Sequence, residues 1–171
     1  SASEMVTELL QYMVENLKLK QVEMDGLFAG IALDTKNFTV KTGVRTFEAA
    51  AYLRRCGADS VSVRQMFKND MEEYKARAGI VSAAHIINGN MAIAGWKGGI
   101  ENASAVAAQA ADELLDIRGI ESSYVLTQMG DQINISARSL GKINVQLIME
   151  ELGGGGHMTV AGAQLRQTSL E

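Results

Sequence analysis

Four consecutive glycines, Gly153-Gly154-Gly155-Gly156, followed by His157, stand directly after a helix-like run over residues 144–152. Glycine lacks a Cβ, so such a run admits backbone conformations that other residues resist and removes side chains that would hold a ligand off the chain. Backbone N–H groups can then face an anion at close range, and His157 can add a donor or a positive charge. One reading of helix, bare loop and histidine is a phosphate cradle. The other is a glycine helix cap followed by a flexible turn, for which a single glycine suffices. The length of the run favours the cradle.

The rest of the composition narrows what such a cradle could serve. A chain of 171 residues accommodates one good domain or two small ones. At 47% hydrophobic and 21% charged it has ordinary globular proportions, although 17 glycines with no proline is unusual. A net charge of -4 argues against charge-driven binding of long nucleic acids and leaves room for a small anionic ligand in a local pocket. Cys56 is the single cysteine, which excludes an intrachain disulfide and fits a reducing compartment. No apolar run reaches membrane-spanning length and no signal peptide is visible. The chain opens without methionine, inside a helical pattern, which implies a piece cut from something longer.

Along the chain, Ser1 and Glu4 form a capping-box pattern, and Met5, Leu9, Leu10, Met13, Val14 and Leu17 repeat at helical spacing. A second apolar run over 24–33 contains Gly26 and Gly30, whose small size would let neighbouring elements approach closely, and it ends at Asp34. Residues 35–42 read as a loop carrying Phe38. A helix is predicted over 46–56 with Gly57 as its stop. Asp59-Ser60 and Ser62 offer caps for further helices through Met66, Phe67, Met71 and Tyr74 to about His85. From residue 86 the texture changes. A strand over 91–96, an alanine-rich helix over 102–115, and strands over 123–129 and 132–138 joined by a Gly130-Asp131 hairpin turn lead to the helix before the glycines and a last strand over 159–165. The expected fold class is α/β: a helical region over 1–56, a helical linker over 57–85 and a small mixed-sheet α/β unit over 86–171.

Few residues in this frame carry distinctive chemistry. Asp34 closes an apolar segment, where burial of a carboxylate is costly unless compensated. A divalent cation such as Mg²⁺ or Mn²⁺ would compensate it, and so would a cap on the loop that follows. Arg138 ends a predicted strand in Ile135-Ser136-Ala137-Arg138-Ser139, where its guanidinium could grip a phosphate in two parallel hydrogen bonds and Ser136 and Ser139 could add hydroxyls. A strand-end arginine is also commonly a solvated surface group. Lys36 and Arg45 invite the same thought, whereas Arg54-Arg55 reads as an exposed helix face and His85 as a structural residue of a helix. A two-metal hydrolytic site needs several carboxylates and histidines. With two histidines and Asp34 the one strong carboxylate candidate, no complete catalytic set is present.

Taken together, these segments resemble the DHH phosphoesterase family. Gly30-Ile31-Ala32-Leu33-Asp34-Thr35-Lys36-Asn37-Phe38 is similar to the last acidic motif of its catalytic domain. Gly153 to His157, with the Ser136-Ala137-Arg138-Ser139 strand before it, is similar to the DHH-associated C-terminal domain. Asp34-Thr35-Lys36-Asn37-Phe38-Thr39, Thr42-Gly43 and Arg45-Thr46-Phe47-Glu48-Ala49-Ala50 most resemble the GdpP-type cyclic-di-AMP phosphodiesterases. The resemblance implies a pair of metal ions, usually manganese (Mn²⁺), that activates water to attack a phosphodiester, with Asp34 as one metal ligand. Ser136, Arg138, Gly153, Gly154, Gly155, Gly156 and His157 would hold the nucleotide, and the product would be the linear dinucleotide pApA. Residues 1–56 would be the C-terminal portion of the DHH catalytic domain and 86–171 the substrate-binding domain. The Asp-His-His motif and the earlier metal ligands are absent and would lie before Ser1, so this chain is expected to be inactive alone. The parent is expected to carry membrane helices, a PAS sensor and a degenerate GGDEF domain, with this region as a cytoplasmic domain.

The expected partners are a cyclic dinucleotide or short oligonucleotide, the missing N-terminal part of the DHH domain, and a second copy in a homodimer that would cover apolar surface left exposed on residues 1–56. A nanoRNase-like phosphoesterase of short oligonucleotides is an alternative. So is a non-catalytic nucleotide-binding or dimerisation module, since similar C-terminal domains accompany alanyl-tRNA synthetases.

Overall fold

The computed structural model describes residues 1–13, 18–68, 70–99, 102–166 and 170. Two compact units divide the chain, Ser1–Lys68 and Asn69–Glu171.

The first unit is helical: α1 (Ala2–Met13), α2 (Gln21–Asp34), α3 (Val44–Cys56) and α4 (Ser60–Met66). Its core gathers Met24 and Ile31 of α2, Ala49 and Leu53 of α3, and Ala58, with Leu27, Phe28, Phe38 and Tyr52 packed against them. Gly30 plays the part predicted for it, since a Cβ there would stand 2.1 Å from Ser3 Oγ of α1; Gly26 faces open space. Gly57 ends α3 at φ 115°, and the Gly57 and Ala58 N–H groups donate back to the Arg54 and Leu53 carbonyls. The Asp59 carboxylate caps α4 by accepting from the Val61 and Ser62 N–H groups and the Ser62 hydroxyl. These bonds, that of Val61 first, hold its carboxyl below the usual carboxylate range. Buried Asp25 accepts from the Asp59 N–H at 2.7 Å and from Gln21 Nε2 at 2.9 Å, tying α2 to the start of α4.

Met5, Leu9, Tyr12 and Met13 lie exposed along one stripe of α1, so the expected apolar surface is present on this unit. Val14 and Leu17 of the predicted pattern lie outside the described residues.

The second unit is a six-stranded mixed sheet between helices. In chain order it comprises α5 (Met71–Ser82), β1 (His85–Ile87), β2 (Met91–Trp96), α6 (Ala103–Leu115), β3 (Ser122–Met129), β4 (Gln132–Ser139), α7 (Val145–Glu151), β5 (Gly155–His157) and β6 (Val160–Arg166). The strand order is β1-β2-β3-β4-β6-β5, and all neighbours are antiparallel except β2 and β3, which α6 connects in parallel. Alternation along the strands builds two cores. On one face Ala92, Ala94 and Val125 meet Ile80 of α5 and Val106, Ala107, Ala110, Ala111 and Leu114 of α6. The alanines let α6 lie close enough for Ser123 Oγ to donate to the Ala111 carbonyl at 2.6 Å. On the other face Tyr124, Ile133, Ile135, Ala137, Ala161 and Ala163 pack under Val145 and Met149 of α7. The β3–β4 hairpin turns at Gly130-Asp131 as predicted, with Gly130 at φ 64°.

Residues 57–85 do not form one helical linker. Asp59 and Asp70 each cap a new helix, and the two helices serve different cores. α4 packs on α2 in the first unit, whereas α5 packs on α6 in the second. The chain then leaves the helix, so His85 is not a helical residue but begins the exposed edge strand β1. The β-branched pair Ile86-Ile87 and a turn with Asn88 at φ 54° and Gly89 at φ 78° fold that strand back onto β2. No helix among the described residues is long and apolar enough to cross a membrane.

Candidate functional site

The glycine run begins as a helix end. Asn144 caps α7 by accepting from the Gln146 N–H at 3.1 Å. Past Leu152 the backbone turns left-handed at Gly153, φ 77°. The Gly153 and Gly154 N–H groups donate to the Glu150 and Met149 carbonyls at 2.9 and 2.8 Å. Gly154 then meets β6 so closely that a Cβ would stand 2.1 Å from the Gly162 carbonyl oxygen and 2.6 Å from Ala163 Cα. Gly156, at φ 144°, would place a Cβ 2.5 Å from both Ala161 Cα and the Val160 oxygen. The fold therefore demands glycine at Gly154 and Gly156 and favours it through the left-handed φ of Gly153, so the length of the run is not in itself the mark of a ligand. Nor is the segment a bare loop: Gly155–His157 is strand β5, paired antiparallel with β6. Gly155 differs from its neighbours, because a Cβ there would meet nothing within 4 Å.

Register shows what Gly155 faces. Gly155 pairs with Gly162, which pairs with Ser136; His157 pairs with Val160, which pairs with Arg138; and Gln164 pairs with Asn134. Residues directly opposite one another share a face, and alternate residues on one strand are about 7 Å apart. The sheet thus carries three rows on one face. Arg138, Val160 and His157 form the first, Ser136 with bare Gly162 and Gly155 the second, and Asn134 with Gln164 the third. A cavity of about 450 Å³ opens over this ledge, lined by Asn134, Ser136, Gly153, Gly154, Gly162 and Gln164, with Ser104 from the start of α6. Register thus puts Ser136, Arg138, Gly155 and His157 on one face of the sheet and Gly156 on the other; of the predicted residues only Ser136, Gly153 and Gly154 line the cavity itself.

The polar groups differ in readiness. His157 is exposed, and its ring has no hydrogen-bond partner among the described residues. Arg138 is mostly buried and already engaged: its Nε lies 3.5 Å from Asp112 Oδ2, and its Nη1 donates to the Ala137 carbonyl at 3.0 Å. Ser139 points to the opposite face of β4, where it is buried and accepts from the Gly141 N–H at 3.0 Å, so it adds no hydroxyl to the ledge. Sequence reasoning missed Asn134, whose Oδ1 is buried without a partner, and also Ser104 and Gln164. The period-two alternation through Asn134, Ser136 and Arg138 was the signal that could have found the first.

Asp34 belongs to the other unit. It is the last residue of α2 and is exposed, so no burial cost asks for a cation. Among the described residues no group of three or more His, Cys, Asp or Glu side chains could hold a metal ion. Arg45, a candidate anion ligand, is bound instead by Glu8, with Nε donating to Oε1 at 2.7 Å. That bond is the main cause of the lowered Glu8 pKa.

Comparison with known proteins places this ledge. The DHHA1 domain matches residues 88–171, from the β1–β2 turn to the chain's end. Over these residues the chain is similar to the DHHA1 domain. The match takes in all the ledge strands, whereas α5 and β1, which the second unit also includes, precede it. The whole chain is 45% identical to the cyclic-di-AMP phosphodiesterase PdeA of Listeria monocytogenes and 44% identical to the cyclic-di-AMP phosphodiesterase GdpP of Bacillus subtilis, in each case over 99% of this chain. It spans about a quarter of the length of these curated relatives, 26% of each. An exopolyphosphatase-related protein from Bacteroides fragilis shares the fold at TM-score 0.87, covering 99% of this chain and 52% of its own, at 20% identity. The α/β architecture, the likeness to the DHHA1 domain and the likeness to the C-terminal part of DHH-family proteins agree with the sequence reading.

Proposed function

We propose that the ledge is the nucleotide-binding surface of a phosphodiesterase that opens cyclic-di-AMP to pApA, and that this chain supplies the substrate-binding domain. The observation that carries the proposal is the register of Gly155 with Gly162. Two missing side chains leave a bare floor between a cationic row and an amide row, shaped for a flat ligand with a charged end. Identity of 44–46% over the chain to named cyclic-di-AMP phosphodiesterases supports that substrate. In this reading His157 and Arg138 face a phosphate, with Arg138 exchanging part of its contact with Asp112 for the ligand. Ser136 donates its hydroxyl, and Asn134 and Gln164 read a base edge through their amides.

Asp34 is carried as one metal ligand. The described residues do not make a manganese site by themselves, and hydrolysis is accordingly assigned to the parent, in which an N-terminal part of the DHH domain would bring the remaining ligands. The exposed α1 stripe of Met5, Leu9, Tyr12 and Met13 is where that part, or a second copy in a homodimer, would pack. A cytoplasmic setting, anchored through membrane helices of the parent and serving second-messenger signalling, completes the reading.

The test is calorimetric titration of cyclic-di-AMP and pApA into this chain, with and without Mn²⁺, beside a His157→Ala variant. Binding that does not need metal and is lost in the variant supports a substrate-capture domain. A folded chain that binds neither dinucleotide sinks the reading for this ledge.

A further inference from the structure

The unit Ser1–Lys68 contains a larger cavity, of about 690 Å³, that the reading above does not use. Its aromatic lining is Phe28 of α2, Phe38 of the loop after it, and Phe67 at the end of α4; its polar lining includes Asn37, Arg64 and Lys68. No acidic side chain lines it, although the chain has 20 acidic residues against 16 lysines and arginines. Arg64 and Lys68, four residues apart, are exposed, and neither has an ion-pair partner among the described residues. Asp34 is not part of the lining.

The wall is built at a conformational cost. Lys36, Asn37 and Phe38 are three consecutive non-glycine residues in the left-handed region, at φ 45°, 56° and 64°. Buried Thr35 holds the turn: its hydroxyl donates to the Ile31 carbonyl at 2.7 Å and accepts from the Phe38 N–H at 3.0 Å. The Asn37 N–H donates to the Ala32 carbonyl at 2.8 Å. The turn sets Phe38 against Phe47, stacked at 5.6 Å between centroids, and tilted to Phe28 at 6.1 Å. The Phe38 ring is thereby fixed at the cavity, and the backbone bond of Asn37 sets where its side chain leaves the chain. Residues held in sparsely populated backbone regions persist where the surroundings over-determine them, and they concentrate at ligand sites.

We propose that this cavity binds a 5′-mononucleotide. Aromatic rings offer stacking surface to a base, the Asn37 amide offers one donor and one acceptor group to its edge, and Arg64 with Lys68 supplies two cations for the phosphate. The volume lies within the range of about 300–1,000 Å³ usual for small-molecule sites. The proposal does not depend on the ledge.

The experiment is an NMR titration of the ¹⁵N-labelled chain with 5′-AMP, with adenosine and inorganic phosphate in parallel. Arg64→Gln/Lys68→Gln, Phe67→Leu and His157→Ala variants accompany it. The glutamines replace exposed charges and leave the core untouched, and leucine keeps an apolar group at 67 while removing the ring. The expected result is that AMP shifts the amide signals of Phe28, Asn37, Phe38 and Phe67 and binds more tightly than adenosine or phosphate alone. Affinity should fall about tenfold or more in the double variant and several-fold in Phe67→Leu, and be unchanged at these signals in His157→Ala. Shifts confined to the ledge around Gly153–His157 would overturn the proposal and leave the ledge reading intact. AMP affinity unaffected by loss of both cations would also overturn it, as would phosphate binding as tightly as AMP.

Discussion

Helices α7 and α2 both end by turning the backbone left-handed, and they do so with opposite materials. After α7 the turn is Gly153 at φ 77°, and the chain runs on as glycine into β5. After α2 it is Lys36, Asn37 and Phe38, all non-glycine, at φ 45–64°. At the first end β6 passes too close for side chains at Gly154 and Gly156, while Gly155, which meets nothing within 4 Å, leaves the floor bare. The second keeps its side chains and accepts strain of roughly 1 kcal/mol or more per residue, offset by the Thr35 hydroxyl and by aromatic packing. An open ledge results in one case and a walled aromatic pocket in the other. A helix end can thus shape a cavity by subtraction or by pinning, and the two leave different marks in a sequence. Glycine runs are conspicuous. A threonine followed by ordinary polar residues is not.

The contrast can be tested from its strongest term downward. Gly154→Ala should be the most damaging change, because its Cβ would fall 2.1 Å from the Gly162 carbonyl oxygen. A loss of about 3 kcal/mol is expected in urea denaturation of the second unit. A stability near that of the wild type would mean that β6 does not enforce the glycine. Thr35→Val should come next. It keeps the shape but removes the hydroxyl that serves both the Ile31 carbonyl and the Phe38 N–H, for a loss of about 2 kcal/mol in the first unit. Retained Phe38 amide protection in hydrogen exchange would show that the turn stands without its pin. Gly155→Ala should have the smallest effect on folding, within about 0.5 kcal/mol, since its Cβ meets nothing within 4 Å. Yet it should lower pApA affinity about tenfold by occupying the floor. Unchanged affinity in a folded Gly155→Ala protein would separate the ledge from ligand binding.

Local signals were legible wherever the physics is local. The Gly57 stop, the Asp59 cap, the alanine-rich helix α6 and the Gly130-Asp131 hairpin formed as read, because each depends on residues within one or two turns of itself. Ser136, Arg138 and His157 were singled out from their residue types, and register puts all three on one face of the sheet. What was missed depended on contacts from afar. His85 joined a strand because β2 was there to pair with it. Ser139 turned away from the ledge, and Asn134 onto it, because β4 alternates and two cores claim its faces differently. Asp34 proved exposed, so the burial argument for a cation lapsed.

The sequence by itself determined the α/β class, the helix ends written in Gly57 and Asp59, the polar chemistry of Ser136, Arg138 and His157, and the likeness to DHH-family proteins. All of these rest on residue type and near-neighbour spacing. The tertiary structure alone decided which glycines the fold demands and which one is left open, because that turns on where residues 160–163 of β6 lie against each missing Cβ. It alone revealed three consecutive left-handed non-glycine residues, of which Asn37 and Phe38 line one cavity, because only packing around Thr35 and the phenylalanine rings makes that backbone the lowest in free energy.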